Sequence, residues 1–397
     1  MRRLTENTVH KDWQVRRIIG ITPEQDVFRE RERIINMLRS GEITYFHIRK
    51  PYYNENRMRE YLSFFPYDVR KRLALNDFQY LADEYGIGGI HINKRFDKTN
   101  TKTDNKRISV SCHTIKEVAD WKNQVDYCFL SPIFDSISKQ DYQSKFSFEE
   151  LKTVFKQNIL TDKVIALGGV TFNNLNTLKE IGFSQFAMLS SLWMLPKTMF
   201  ISHFNDRYDY ISGSIAALSG GIRFIQLRMK DVSDEEVLKT AKVLREECDK
   251  HSALLTVDDR IHLLETNLFD GVHLGKNDMP ISEAKKITRD KFLLGATCNT
   301  VEDVKKAVND GADYLGIGPF RFTHTKKNLA TVLGLDGYKK INGFMQQNKM
   351  NIPVYAIGGI TTEDLSDLSD TGIYGVAASG VILNNSQETI NKFLEIF

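Results

Sequence analysis

The chain has 397 residues, 41% of them hydrophobic and 26% charged, with a net charge of +3; that length is ample for two hydrophobic cores, and the near-balance of charge gives no reason to expect a nucleic-acid or membrane partner. The four cysteines, Cys112, Cys128, Cys248 and Cys298, have neither metal-ligand spacing nor the density of a secreted disulfide scaffold. With a polar amino terminus and no run approaching the ~20 apolar residues of a membrane helix, a soluble cytoplasmic protein acting on small molecules is expected, and a homo-oligomer is compatible with all of this.

Short apolar runs alternate with longer stretches of helical spacing, as where parallel strands are buried beneath helices. The first half opens the series with Ile18–Ile21 and Tyr45–Ile48 and closes it at Phe186–Leu189, with a polar loop expected over 97–106. A join is expected around Leu195-Pro196-Lys197, because proline favours a break and a new strand follows at once. The domains are then residues 1–195 and 196–397. In the second, strands are expected at Thr198–Ile201, Phe224–Leu227, Leu254–Val257, Gly271–Leu274, Phe292–Gly295, Tyr314–Ile317, Val354–Ile357 and Gly375–Ala378. Between them, Asp234–Lys250 and Val301–Asn309 space apolar residues three and four apart, and Ser233 precedes the first as an N-cap.

The two halves repeat each other. Arg49, Asp77, Gly89-Ile90-His91, Ser111-Cys112-His113-Thr114, Asp126-Tyr127 and Gly168-Gly169 are answered in order by Arg228, Asp259, Gly271-Val272-His273, Thr297-Cys298-Asn299-Thr300, Asp313-Tyr314 and Gly358-Gly359. The offset only grows, from 179 residues between Arg49 and Arg228 to 190 between Gly168 and Gly358, as duplication followed by small loop insertions produces. A period close to the roughly 200 residues that eight strand-helix units need predicts an α/β protein of two tandem (βα)8 TIM barrels.

In such barrels the active site forms at the carboxyl ends of the strands. Gln226, Arg228 and Lys230, at one strand end, point to one side by strand alternation. A glutamine and two cations suit a di- or triphosphate; taken alone they suit a solvated strand end equally well. Asp258-Asp259-Arg260 ends the third strand of this half and Gly275-Lys276-Asn277-Asp278 the fourth. Carboxylates on neighbouring strand ends can share Mg²⁺, whose other positions go to water and phosphate oxygens. Helix capping with a surface salt bridge is the alternative, and the cationic strand next door favours metal and pyrophosphate. Thr323, Thr325 and Lys326 after the sixth strand, Gly358-Gly359 after the seventh and Ser379-Gly380 after the eighth offer hydroxyls, a cation and backbone N–H groups to a phosphate monoester. Two anion subsites are therefore expected in the second half.

The ordered set Gln226-x-Arg228-x-Lys230, Asp258-Asp259, Gly275-x-x-Asp278, Thr297-x-Asn299-Thr300, Gly316-x-Gly318-Pro319, Thr323-x-Thr325-Lys326 and Ile357-Gly358-Gly359-Ile360 strongly resembles the thiamine phosphate synthase family, from about Met199 to Phe397. The resemblance implies condensation of hydroxymethylpyrimidine diphosphate with a thiazole phosphate, giving thiamine phosphate and pyrophosphate, with Mg²⁺ as cofactor. It implies Gln226, Arg228, Lys230, Asp258, Thr297 and Lys326 at the pyrimidine diphosphate, Arg228, Lys230 and Lys326 being the catalytic cations. Asp259 and Asp278 match the metal ligands, and Thr323, Thr325, Gly359 and the Ser379-Gly380 backbone match the thiazole phosphate site. The family commonly has asparagine at Asp258 and serine at Gly380.

From Arg17 to Trp193 the chain is similar to the TenI branch of the same superfamily, recognised as thiazole tautomerases, with His113 at the position of that branch's catalytic histidine. His47 stands for Gln226, Pro51 for Lys230 and Phe96 for Asp278, so a second synthase site is not expected. Arg49 is retained, Ser136, Ser138 and Lys139 fall where Thr323, Thr325 and Lys326 do, and Gly169 and Ser190 also correspond to phosphate-site positions. A monophosphate pocket with an imidazole suits proton transfer on the thiazole phosphate. The alternative is a structural His113 in a non-catalytic phosphate-binding or dimerisation module. A phosphosugar-type isomerase with Asp258 or Asp259 as base leaves Gln226, Arg228, Lys230 and Asp278 unexplained.

Overall fold

The computed structural model describes residues 17–27, 29–94, 96, 103–135, 144, 146–289, 291–322, 331–384 and 387–397. Strands β1 (Arg17–Ile21), β2 (Tyr45–Ile48), β3 (Leu73–Leu75), β4 (Gly89–Ile92), β5 (Arg107–Cys112), β6 (Tyr127–Leu130), β7 (Val164–Ala166) and β8 (Gln185–Met188) pair in parallel in chain order, and β8 returns to β1. A second closed parallel barrel holds β9 (Thr198–Ile201), β10 (Phe224–Leu227), β11 (Leu254–Asp258), β12 (Gly271–Leu274), β13 (Leu293–Cys298), β14 (Tyr314–Ile317), β15 (Val354–Ile357) and β16 (Gly375–Ala378), with β16 beside β9. The chain is thus α/β with two tandem eight-stranded barrels, and it divides into the compact units Met1–Met194 and Leu195–Phe397.

Four strands differ from their sequence expectation, two of them by a single end residue: β1 begins at Arg17 rather than Ile18, and β11 runs to Asp258 rather than Val257. β13 starts one residue later than Phe292 and runs three past Gly295, because Thr297 and Cys298 pair with Gly316 and Ile317 of β14; the apolar run had ended at Leu294, and small residues carried the strand on. β8 stops at Met188, since Leu189 turns out of the extended region at φ −120° and ψ −84°.

Strand residues are buried on both faces, as parallel barrels require. Ile19, Ile21, Phe129 and Ile165 fill the inside of the first barrel, and Met199, Phe224, Tyr314 and Tyr355 that of the second. Larger clusters join the outer strand faces to the helices. The helix Asp234–Lys250 begins at Ser233, whose Oγ accepts the Glu236 N–H at 3.3 Å while Glu236 Oε2 accepts the Ser233 N–H at 3.2 Å. That reciprocal cap fixes the start of the helix, which buries Val237, Ala241, Leu244 and Cys248. All four cysteines are free and buried. Among the described residues, no helix is long and apolar enough to cross a membrane.

The first barrel also encloses two imidazoles. His47 Nδ1 lies 2.9 Å from Asn76 Oδ1 and its Nε2 2.8 Å from Tyr127 Oη; His91 Nδ1 and Nε2 lie 3.0 and 3.2 Å from Ser109 and Ser111 Oγ. Burial, helped by the charge of Arg49, holds the His91 pKa down to about 4, and burial with His91 beside it holds His47 well below its usual value. Between pH 6.5 and about 4 the unfolded chain binds a proton that folded His91 refuses, so stability falls as pH is lowered through this window. The loss for His91 alone should reach ~3 kcal/mol. Thermal melts across the window should show it, and His91→Gln should flatten the curve.

Candidate active site

At the carboxyl end of the second barrel, Gln226, Arg228 and Lys230 converge on one carboxylate. Gln226 is buried on β10 and its Nε2 donates to Asp258 Oδ1 at 2.8 Å. Asp258 Oδ2 lies 3.4 Å from Arg228 Nε and 2.9 Å from Lys230 Nζ. Lys230 also pairs with Asp259. The Arg228 N–H donates to Ser202 Oγ at 2.9 Å, which ties this strand end to the one after β9. Asp259 holds a left-handed backbone, φ +64°, a conformation sparsely used by side-chain-bearing residues and costing on the order of 1 kcal/mol.

Asp278 sits in the tight turn after β12, its N–H donating to Gly275 O at 3.2 Å and its Oδ2 accepting the Gly275 N–H at 2.6 Å. A Cβ on Gly275 would lie 2.7 Å from Asp278 Oδ2 and 4.0 Å from Asp259 Oδ1. Both carboxylates therefore border the same small space, kept open because residue 275 is glycine. Two hard oxygen donors at such a space fit Mg²⁺, which is usually held by one or two carboxylates and takes its other ligands from water and phosphate. Among the described residues no cluster of three or more His, Cys, Asp or Glu has metal-holding geometry.

Thr297, brought into β13, has its Oγ1 3.0 Å from His273 Nε2. Gly358 and Gly359 both have positive φ, +96° and +68°, and a Cβ on Gly359 would meet Arg321 Cγ at 2.6 Å and Phe322 O at 3.1 Å. Ser379 carries a buried Oγ with no hydrogen-bond partner among the described residues, and the nearest described atom to a Cβ on Gly380 would be 3.9 Å away, so a serine there would fit. Thr323, Thr325 and Lys326 lie outside the described residues.

A cavity of about 1090 Å³ opens at the same end of the first barrel, and Arg49, His91, Ser111, His113, Gly169 and Ser190 line it. His113 Nδ1 lies 3.0 Å from Ser131 O. A carbonyl only accepts, so Nδ1 carries a proton here, and in the neutral tautomer this contact selects Nε2 is the nitrogen with the lone pair. The His113 backbone N–H donates to Glu117 Oε2 at 2.6 Å. Arg49 forms an ion pair with Glu24, Nη1 to Oε1 at 2.6 Å, and its N–H donates to Thr22 Oγ1 at 2.8 Å. Asp77 is buried and accepts the Lys50 N–H at 3.1 Å. Phe96 repeats the turn of Asp278, its N–H donating to Asn93 O at 3.0 Å, and packs against the core. Ser136, Ser138, Lys139 and residues 97–102 lie outside the described residues.

The profile of the thiamine monophosphate synthase family matches the chain twice, over residues 18–192 and 199–382. The chain belongs to that family. The thiamine-phosphate synthase of Bacteroides thetaiotaomicron is 50% identical over 184 residues, 46% of this chain and 88% of that protein. That of Flavobacterium johnsoniae is 40% identical over 197 residues, 50% of this chain and 93% of that protein. Among solved structures, thiamine phosphate pyrophosphorylase from Pyrococcus furiosus is 32% identical with a TM-score of 0.45, covering 50% of this chain and 94% of that one. This member of the thiamine monophosphate synthase family thus carries the fold twice.

Sequence reading missed three residues of this family member's two strand-end regions. Arg321 donates to Gly359 O at 2.9 Å and makes a two-pronged pair with Asp364 at 2.7 and 2.8 Å, pinning the Gly-Gly turn. Glu24 and Ser202 hold Arg49 and Arg228. The internal repeat could have flagged Ser202, because Thr22 has the same relation to Arg49. Nothing local marked Glu24 or Arg321 apart from other surface charges.

Proposed function

We propose that the second barrel condenses hydroxymethylpyrimidine diphosphate with a thiazole phosphate to give thiamine phosphate and pyrophosphate, and that the first barrel tautomerises the thiazole phosphate. Relatives named thiamine-phosphate synthase at 40–50% identity support the transferase. The observation that carries it is the meeting of Gln226, Arg228 and Lys230 at Asp258, beside the space that Asp259 and Asp278 border.

The methylene C–O bond breaks with its electron pair leaving on pyrophosphate, and the thiazole nitrogen lone pair forms the new C–N bond. No proton has to move, so no general base is required. Arg228, Lys230 and Lys326 neutralise the leaving diphosphate, and Gln226, Asp258 and Thr297 orient the pyrimidine diphosphate. Mg²⁺ bound by Asp259 and Asp278 would supply charge neutralisation at the diphosphate oxygens. Thr323, Thr325, Gly359 and the Ser379-Gly380 backbone hold the thiazole phosphate in line with the cleaving bond. In the first barrel, His113 Nε2 is the acid-base group, with Arg49, Ser136, Ser138, Lys139, Gly169 and Ser190 around the phosphate ester. The reading makes the chain a cytoplasmic enzyme of small molecules.

Incubating the full chain with both substrates should yield thiamine phosphate and pyrophosphate, with product lost on chelation and restored by Mg²⁺. No product under these conditions would overturn the synthase assignment. In the same assay, Asp258→Asn keeps the acceptor for Gln226 but releases Arg228 and Lys230 from a competing charge, so KM for the diphosphate should fall roughly 3- to 10-fold.

A further inference from the structure

The two barrels treat their shared strand-end arginine differently. Arg228 stands 3.4 Å from Asp258, a carboxylate it shares with Lys230 and Gln226. In the first barrel Asn76 occupies the position of Asp258 and is engaged with His47. Arg49 takes its carboxylate instead from the loop after β1, where Glu24 lies 2.6 Å away, both side chains about one-third exposed (33%) and both lining the cavity.

That loop is anchored. Lys50, fully buried next to Arg49, donates to Gln25 O at 3.2 Å and pairs with Asp26 at 3.1 Å and Glu30 at 2.7 Å. A buried ammonium tied to both residues that follow Glu24 holds the glutamate over Arg49. It also turns the one lysine of this strand end away from the cavity, while Pro51 stands where Lys230 would. Among the described residues, the charged ones lining the cavity besides its histidines are Glu24, Arg49, Lys94 and Glu117, two of each sign.

We infer that Glu24 sets the anion specificity of the first barrel, locking Arg49 in an ion pair so that the cavity takes phosphate monoesters and rejects diphosphates. This rests on the reading of that cavity as a monophosphate site. A diphosphate brings about three charges and must either displace a charge-assisted pair or lie against the Glu24 carboxylate. A monoester held at the Gly169 and Ser190 end can lie beside Arg49 without parting the pair.

The chain carries its own reporter. All three tryptophans, Trp13, Trp121 and Trp193, lie in the first half, and Trp121 lines the cavity. The test titrates the full chain, in an Arg228→Gln/Lys230→Gln background that weakens the diphosphate site of the second barrel, with inorganic phosphate and with inorganic pyrophosphate, following tryptophan emission, which reports the first half alone. The parent should respond to phosphate and not to pyrophosphate. Glu24→Gln should bind one pyrophosphate at least about tenfold more tightly, a shift of ~1.4 kcal/mol, and adding Arg49→Gln should abolish the gain. Glu24→Asp, which keeps the charge, should keep the rejection.

Equal pyrophosphate affinity in parent and Glu24→Gln, or a gain that survives loss of Arg49, would overturn the inference. Phosphate binding judges the underlying reading by itself: a tryptophan response to phosphate with no pyrophosphate gain in Glu24→Gln refutes the lock alone, whereas no tryptophan response to phosphate in any of these proteins refutes the monophosphate site.

Discussion

Asp259→Asn and Asp278→Asn should each lower the rate of thiamine phosphate formation about 10²- to 10³-fold, the scale of losing one electrostatic contact to developing charge in a water-poor site. The double variant should fall little further, because groups acting on one ion are not additive. Both changes are gentle on the backbone. Asparagine tolerates the left-handed conformation that residue 259 adopts, and its amide oxygen at 278 can still accept the Gly275 N–H. Rates measured against Mg²⁺ concentration should show saturation moved to higher metal in each single variant. A double variant that turns over within about threefold of the parent would remove Mg²⁺ from this site, since threefold is under 1 kcal/mol.

His113→Ala should lower thiazole phosphate isomerisation by about 10²- to 10⁴-fold, the usual contribution of a positioned acid-base group, and leave the synthase rate unchanged. The side chain is exposed, and its Nδ1–H meets the Ser131 carbonyl, so its removal should leave the fold intact. Isomerisation followed by NMR, alongside the synthase assay on the same preparation, separates the two activities. Unchanged isomerisation in His113→Ala would rule out this histidine as the acid-base group. If the parent shows no isomerisation either, the first barrel is a binding or dimerisation module.

The buried run Phe224–Leu227, the cap at Ser233 and the growing offset between the halves were all legible in the chain, and together they specify two barrels. Such features are local or periodic: a parallel strand covered on both faces must be apolar throughout, and an N-cap needs an oxygen at one defined position. The end of β13 was not legible, because Thr297 and Cys298 join the strand through pairing with β14 rather than through their own apolarity.

At the site, the sequence by itself determined which side chains reach the strand ends, since alternation places Gln226, Arg228 and Lys230 on one side and duplication shows what the first half lacks. Tertiary structure alone decided their partners. Asp258 lies 32 residues from Gln226 and Glu24 lies 25 from Arg49, and both arginines see more than one carboxylate within a loop's reach. Which pair forms depends on where the chain reverses, on a glycine that leaves space between Asp259 and Asp278, and on a buried Lys50 that pins the loop bearing Glu24. Periodicity encodes burial, whereas charge pairing is set by distances of a few ångströms that exist only once the barrel has closed.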